Sequence, residues 1–368
     1  AVLNTFNNKP TTQITCESLI KPMKSTLSGT IRGGAISASN SMYLGIIDSV
    51  DGGNTHAMHW ANKTNTSRLS NWNGSVPNNR WSHLVGTYDG TTSRAYVNGV
   101  EISSWAQNGT IPGGTYYIGT YGGSVVDGTH NFDGNIETAR IYNTALTSQD
   151  VSRNYYGGPI VTSGLVLAID PSNLVSYESG STNVYSLVNN ITGNLINGVT
   201  HDSKTFTFDG VDEHIRFNED VLDTNGEYTL SAWLRPNGSS WGHNSMALYN
   251  TYPTNGNSGI WHHFGEDNVL RWRHGGSTYT TGDLSGIGLV ANEWQLTTIT
   301  WDRTTLKLYK NGELMNSTTA ASDFTKSASG QARIGMLNYR RDSSDYNWHG
   351  DISAHQVYNT ALTQEEVL

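Results

Sequence analysis

The sequence predicts an all-β protein: two tandem antiparallel β-sandwich domains, each closed by a short helix. Three observations carry this. The 368 residues include 40 Gly, 19 Tyr and 11 Trp, but only 14% are charged. Gly and Asn accept positive φ, and aromatic residues fit a pleated, half-buried surface, so this mix suits short strands and polar turns. Segments alternate polar and apolar with period two and break at Asn-Gly and Asp-Gly pairs. Finally, the chain repeats itself: IYNTALT at 141–147 returns as VYNTALT at 357–363.

The repeat extends well beyond seven letters. Trp81 aligns with Trp294, Asp89 with Asp302, Tyr96 with Tyr309 and Asn98-Gly99 with Asn311-Gly312, all at one spacing. ITCESLIKP aligns with YTLSAWLRP, and FDGNIETARIYNTALT with WHGDISAHQVYNTALT. A period of roughly 215 residues is that of a whole domain, not of a propeller blade or solenoid unit. The expected domains are 1–156 and 164–368, joined by a linker at 157–163. Ala1 aligns near residue 214, so the first copy lacks about 50 residues at its start, and the chain reads as a window on a longer polypeptide.

In chain order, ITCESLIKP (14–22) reads as a strand that contains the sole cysteine, Cys16. One thiol closes no internal disulfide, so Cys16 is expected to be a small buried hydrophobe. WSHLVGTYDGTTSRAYVNGVEI (81–102) reads as three strands, with a turn at Asp89-Gly90 and a hairpin at Asn98-Gly99. The repeated heptad reads as a last strand turning a corner into a helix, capped by Thr147 with Asp150 and by Thr363 with Glu366. KTFTFDGVDEHIRF (204–217) reads as two strands about Asp209-Gly210, and VLRWRHGG as one more.

Taken together, FTFDGVDEHIRF, YTLSAWLRP, EWQLTTITWDRTTLKLYKNGEL, ARIGM and WHGDISAHQVYNTALTQEEV resemble the laminin-G-like branch of the concanavalin A-like lectin/glucanase superfamily. The resemblance covers nearly all of 164–368 and most of a domain in 1–156. It implies a jelly roll of about a dozen strands in two sheets. The opening GLVLAIDPSNLVSYESGSTNVYSL is further similar to copies of this domain in virion proteins of tailed phages, which implies a fibre or capsid decoration. Fold by itself does not fix function.

Glucanases of the superfamily carry Glu-x-Asp-x-x-Glu or Glu-x-Asp-x-Glu on one strand, which sets two carboxylates ~5 Å apart for retaining hydrolysis. Neither pattern occurs in this chain, nor does a Gly-x-Ser-x-Gly elbow. His262 and His263 are adjacent on a strand and face opposite sides. His56 and His59 read as solvated loop residues. The chain is therefore expected not to be an enzyme and to require no cofactor. Calcium is the ion its polar loops suit, since many laminin-G-like domains hold one near the sheet rim. Asp342, Asp345, Asn347 and Asp351 offer hard oxygen ligands in the second copy, and Asp127, Asn131 and Asp133 in the first.

Sugar binding needs exposed aromatic faces beside hydrogen-bonding side chains. Trp81, Trp233, Trp294 and Trp301 lie in alternating strand patterns and are expected in the core. The candidate platform residues fall in copy-specific, turn-rich stretches: Trp60, Trp72, Trp105 and Tyr121, then Trp241, Trp261, Trp272, Tyr279 and Tyr346.

The net charge of −9 argues against a nucleic-acid partner, whose phosphates need a basic footprint. No apolar run approaches the ~20 residues of a membrane-spanning helix. The expected function is a non-enzymatic virion surface protein, a tail or head fibre or a capsid decoration, presenting lectin-like domains to host-surface glycans. Its expected partners are other virion subunits, as a homo-oligomer, and cell-surface glycans. The alternatives are a cellular adhesin or the binding module of a secreted enzyme, a packing domain with no sugar site, and a glucanase with an unrecognised site.

Overall fold

Antiparallel pairing organises both halves of the chain. The computed structural model describes residues 2–3, 9–23, 32–39, 41–48, 55–65, 68–120, 131–158, 160–222, 226–237, 249–251, 259–264, 269–275, 280–284, 288–319, 331–336 and 347–367. The chain divides into two units, Ala1–Ile160 and Val161–Leu368.

Unit one contains β1 (Val2–Leu3), β2 (Ile14–Pro22), β3 (Arg32–Ala38), β4 (Met42–Asp48), β5 (Thr55–Lys63), β6 (Arg68–Pro77), β7 (Ser82–Tyr88), β8 (Thr92–Val97), β9 (Val100–Ala106), β10 (Tyr116–Ile118), β11 (Gly134–Tyr142) and α1 (Ser148–Tyr156). Its sheets run β1-β10-β3-β4-β5-β6 and β11-β2-β7-β8-β9. The core joins Ile14, Cys16, Ile20, Leu84 and Tyr88 of the second sheet to Ile36, Leu44, Met58 and Trp60 of the first. The sheets meet tightly at Gly86, where a Cβ would lie 2.3 Å from the Trp60 indole. The expected burial of Cys16 is observed, with its Sγ 3.5 Å from Met42 Sδ.

Unit two contains β12 (Leu165–Ile169), β13 (Asn183–Tyr185), β14 (Thr192–Ile196), β15 (Thr200–His201), β16 (Phe206–Asp209), β17 (His214–Phe217), β18 (Tyr228–Pro236), β19 (Gly259–Phe264), β20 (Leu270–Gly275), β21 (Thr280–Leu284), β22 (Gln295–Trp301), β23 (Thr305–Lys310), β24 (Glu313–Thr319), β25 (Arg333–Ile334), β26 (His349–Tyr358) and α2 (Gln364–Val367). The large sheet runs β15-β16-β26-β18-β22-β23-β24, with β12 also on β26. Facing strands run β13-β14-β17-β25 and β19-β20-β21. Leu230, Leu234, Ile299, Trp301 and Leu308 of the large sheet share one core with Ile215, Phe217, Ile260, Phe264 and Trp272. The two strands about Asp209-Gly210 do not form a hairpin: β16 pairs with β26, whereas β17 pairs with β14 and β25.

The hairpin at Asn98-Gly99 has φ of 50° and 78°, and that at Asn311-Gly312 has 50° and 81°. Positive φ at both central positions matches the twist of the flanking strands. Each Asn also accepts a hydrogen bond at 2.9 Å from a backbone N–H of the neighbouring strand, that of His83 in β7 or Leu296 in β22.

The repeated heptad turns a corner held from behind by a buried threonine. The Thr15 hydroxyl donates to Thr144 O at 2.8 Å and accepts from Leu146 N–H at 2.9 Å. In unit two Thr229 does the same for Thr360 O and Leu362 N–H, also at 2.8 and 2.9 Å. At the helix that follows, Thr147 and Asp150 form both halves of a capping box. In α2 the Glu366 carboxylate accepts from Thr363 N–H at 2.9 Å.

Two expectations are corrected. His56 and His59 are not in a solvated loop; they lie in β5, between β4 and β6, and are each 3% exposed. Trp233 and Trp294 are not core residues; they are 41% and 36% exposed. Trp301 is buried as expected.

Candidate functional site

The two exposed indoles mark the outer face of the large sheet in unit two. Along β18, Leu230, Ala232 and Leu234 turn inward and Trp233 turns outward. Period-two alternation then puts Arg235 on the same side as Trp233. Register carries that row across the sheet: Thr207 of β16 opposes Asp351 of β26, which opposes Arg235 of β18. Trp294 lies just before β22, next to Arg235, because Gln295 opposes Leu234.

The row is tied together by its own side chains. Arg235 Nε donates to Asp351 Oδ2 at 2.7 Å, and the Thr207 hydroxyl donates to Asp351 Oδ1 at 2.5 Å. The Arg235 guanidinium carbon sits 5.1 Å from the centre of the Trp294 ring, within cation–π range. Asn237 and His349 approach at 2.9 Å. A depression of about 350 Å³ is lined by Thr207, Arg235, Pro236, Asn237, Asn292 and Asp351.

Two backbone devices fix this geometry. Gly350 has φ of 143°, and a Cβ there would lie 2.3 Å from Arg235 O, so β26 and β18 approach at a point that only glycine fits. The loop bearing Asn292 and Trp294 is clamped by buried Gln295. Its amide accepts from Val290 N–H at 2.9 Å and donates to Val290 O and Glu293 O at 2.9 and 3.0 Å.

Chemically, the face offers aromatic surface for stacking beside side-chain donors and acceptors for hydroxyls. Among the described residues that line the depression, Asp351 is the only carboxylate, and it is bonded to Arg235 and Thr207.

The aligned positions of unit one are Asn135, opposite Lys21, and Trp81. Half-buried Leu19 replaces Trp233 there, and Glu17 replaces Ser231. Buried Glu17 accepts from Tyr142 at 2.6 Å, Asn154 at 3.1 Å and Arg140 at 3.2 Å, and it pairs with His83 at 2.9 Å. Burial opposes its ionisation, but the hydrogen bonds from His83 and Tyr142 and the charges of His83 and Arg140 outweigh that and hold its carboxyl below the usual range. Asn154 belongs to α1, so this cluster docks the helix on the sheet.

Of the candidate platform residues, Trp60 and Trp272 are corrected: both are buried in the sandwich cores, where a ligand cannot stack on them. Trp105 is partly buried and packs against the core of unit one. Trp72 and Trp261 lie on β6 and β19, and their side chains fall outside the described residues, as do Tyr121, Trp241, Tyr279 and Tyr346.

Of the candidate calcium ligands, Asp127, Asp342 and Asp345 lie outside the described residues. Asn131 and Asp133 are exposed. The Asn347 amide donates to Val211 O, and Asp351 serves the row above. Among the described residues no three His, Cys, Asp or Glu side chains gather to hold a metal ion. Nor is any described helix long and apolar enough to cross a membrane.

A family model described as the concanavalin A-like lectin/glucanases superfamily matches residues 1–152 and 209–368. No curated protein matches the chain. Among solved structures, the chain is similar to domain 4 of AbnA, a GH43 extracellular arabinanase from Geobacillus stearothermophilus, in complex with arabinotriose. That match has 21% identity over 56% of this chain and 97% of that one, with a TM-score of 0.41. The receptor-binding domain of botulinum neurotoxin D matches at 17% identity over 55% of this chain and 51% of that one, with a TM-score of 0.41. Domains LG4-5 of the mouse laminin alpha1 chain match at 12% identity over 98% of this chain and 88% of that one, with a TM-score of 0.33.

Proposed function

This chain belongs to the concanavalin A-like lectin/glucanase superfamily, and on that premise we propose that it is a non-catalytic, glycan-binding surface protein. In this reading it carries two copies of one jelly roll, at 1–156 and 164–368, and forms part of a virion fibre or capsid decoration. Unit two binds host-surface sugars on the face that bears Trp233, Arg235 and Trp294. The observation that carries the proposal is the outward turn of two indoles beside a hydrogen-bonding depression. Large aromatic side chains left in water at one place mark a binding surface.

Each site binds weakly, and assembly into an oligomer supplies avidity by raising effective concentration without new contacts. The composition fits a decoration: few Lys and Arg, 22 in all, and many polar turns. The aromatic residues Tyr121, Trp241, Tyr279 and Tyr346 are proposed as further sugar contacts, and Asp127, Asp342 and Asp345 as calcium ligands, each within its own copy.

The test is binding of the full chain, displayed at high valency, to a broad glycan array with calcium and then with chelator. We expect selective binding to a subset of glycans. The chelator arm reports whether calcium takes part. Absence of binding at high valency counts against the glycan reading and favours packing against neighbouring protein. For the virion role, antibodies against the chain should label the particle surface and block adsorption to cells; particles without the epitope contradict it.

A further inference from the structure

We propose that the ligand at the Trp233–Trp294 face is a neutral, polyhydroxylated sugar, not an acidic one, and that Arg235 and Asp351 together read two adjacent ring hydroxyls. The proposal rests on the glycan-binding reading and specifies its ligand class.

Asp351 and Arg235 are joined at 2.7 Å, so the described residues that line the depression supply one cation and one anion in contact. The Asp351 side chain is 12% exposed and the Arg235 side chain 40%. To reach Arg235, a carboxylate or sulfate on a sugar would come within ~4–6 Å of Asp351, where a like charge opposes it. The chain's net charge of −9 adds to that opposition.

A neutral hydroxyl pair meets no such penalty. Arg235 uses Nε on Asp351 and one guanidinium face on Trp294, which leaves its terminal N–H groups as donors. Asp351 receives Arg235 on one oxygen and Thr207 on the other, and each carboxylate oxygen keeps a second lone pair. One sugar hydroxyl accepts from Arg235 while its neighbour donates to Asp351. Adjacent ring hydroxyl oxygens lie about 3 Å apart, the separation of a hydrogen-bonded donor and acceptor. The ring face then lies against Trp233 and the part of Trp294 that the Arg235 guanidinium does not cover, and Asn237 at the edge of the depression adds amide contacts.

The test uses the full chain on neutral, sialylated, uronate-bearing and sulfated glycans, followed by titration of the best ligand at two salt concentrations. Wild type is expected to select neutral glycans, with affinity changing less than about twofold between low and high salt, because no net charge is neutralised on binding. Asp351→Asn installs the amide that unit one carries as Asn135. It should lower neutral-sugar affinity at least about tenfold and admit acidic glycans, since Arg235 is then unopposed. Arg235→Lys keeps the charge but loses the planar fork, and it too should lose about tenfold. It serves as the second variant if Asp351→Asn unfolds.

Preference of wild type for acidic glycans overturns the proposal while leaving glycan binding intact. So does unchanged neutral-sugar affinity in both variants. No binding to any glycan overturns both readings.

Discussion

At the scale of the residue, Trp233 and Trp60 divide in the opposite way to their sequence surroundings. Trp233 lies between Ala232 and Leu234 in an apolar stretch that suggests core, whereas Trp60 follows His56 and His59 in a segment that reads as a solvated loop. Alternation establishes that a strand has two faces, but a slip of one residue exchanges them, and the sequence does not say which face is covered. Trp60→Ala should therefore destabilise unit one by about 3–5 kcal/mol, the range for an emptied aromatic core site. Trp294→Ala should change stability by less than about 1 kcal/mol, since surface substitutions have small effects. Chemical denaturation of each variant measures both, and equal losses would refute the division. Gly86→Val drives a side chain into the Trp60 ring and should destabilise by at least about 1–3 kcal/mol.

At the scale of the element, the NTALT corner was legible as a repeated strand-to-helix turn, but its fastening was not. Thr15 and Thr229 are more than a hundred residues from the carbonyls they hold, and a lone Thr in a strand signals only β propensity. Thr229→Val keeps the shape, removes the hydroxyl and leaves the Leu362 N–H unpaired. The expected loss is about 1–3 kcal/mol, with faster amide exchange across 360–367. Unchanged exchange there would show that the corner does not depend on Thr229. The Asn-Gly hairpins were fully legible, because two-residue turns carry their own stereochemistry. The separation of β16 from β17 was not: a turn motif fixes a reversal locally, while the sheet that each strand joins is decided by distant partners.

At the scale of the whole molecule, the all-β class and the superfamily were legible because composition, period and motif order agree over most of the chain. The candidate site was not, since it depends on side chains that β16, β26, β18 and the start of β22 bring together across 207–351. The two units should also respond differently to acid. Burial and the charges of Arg333 and Arg216 push His214 down to about 4, against the opposing hydrogen bond to Asp212 O. Its unfolded value is about 6.5, so the unfolded chain binds the proton first. Unit two therefore loses stability as pH falls from about 6.5 towards 4, and His214→Gln should flatten that slope. Glu17 is depressed, so its contribution to unit one is complete above the ordinary carboxylate range and is lost only as pH falls through its lowered value. A pH series of denaturation curves should show unit two weakening first. A slope that persists in the His214 variant contradicts this assignment.

Sugar binding by the outer face of the large sheet in unit two is the proposal on which the rest depends. Its most direct test compares wild type, Trp233→Ala and Trp294→Ala as full chains on the same glycan array, with circular dichroism to confirm the fold. Each variant should bind at least about tenfold more weakly, since an exposed indole is the main stacking surface. Binding equal to wild type in both folded variants would contradict it.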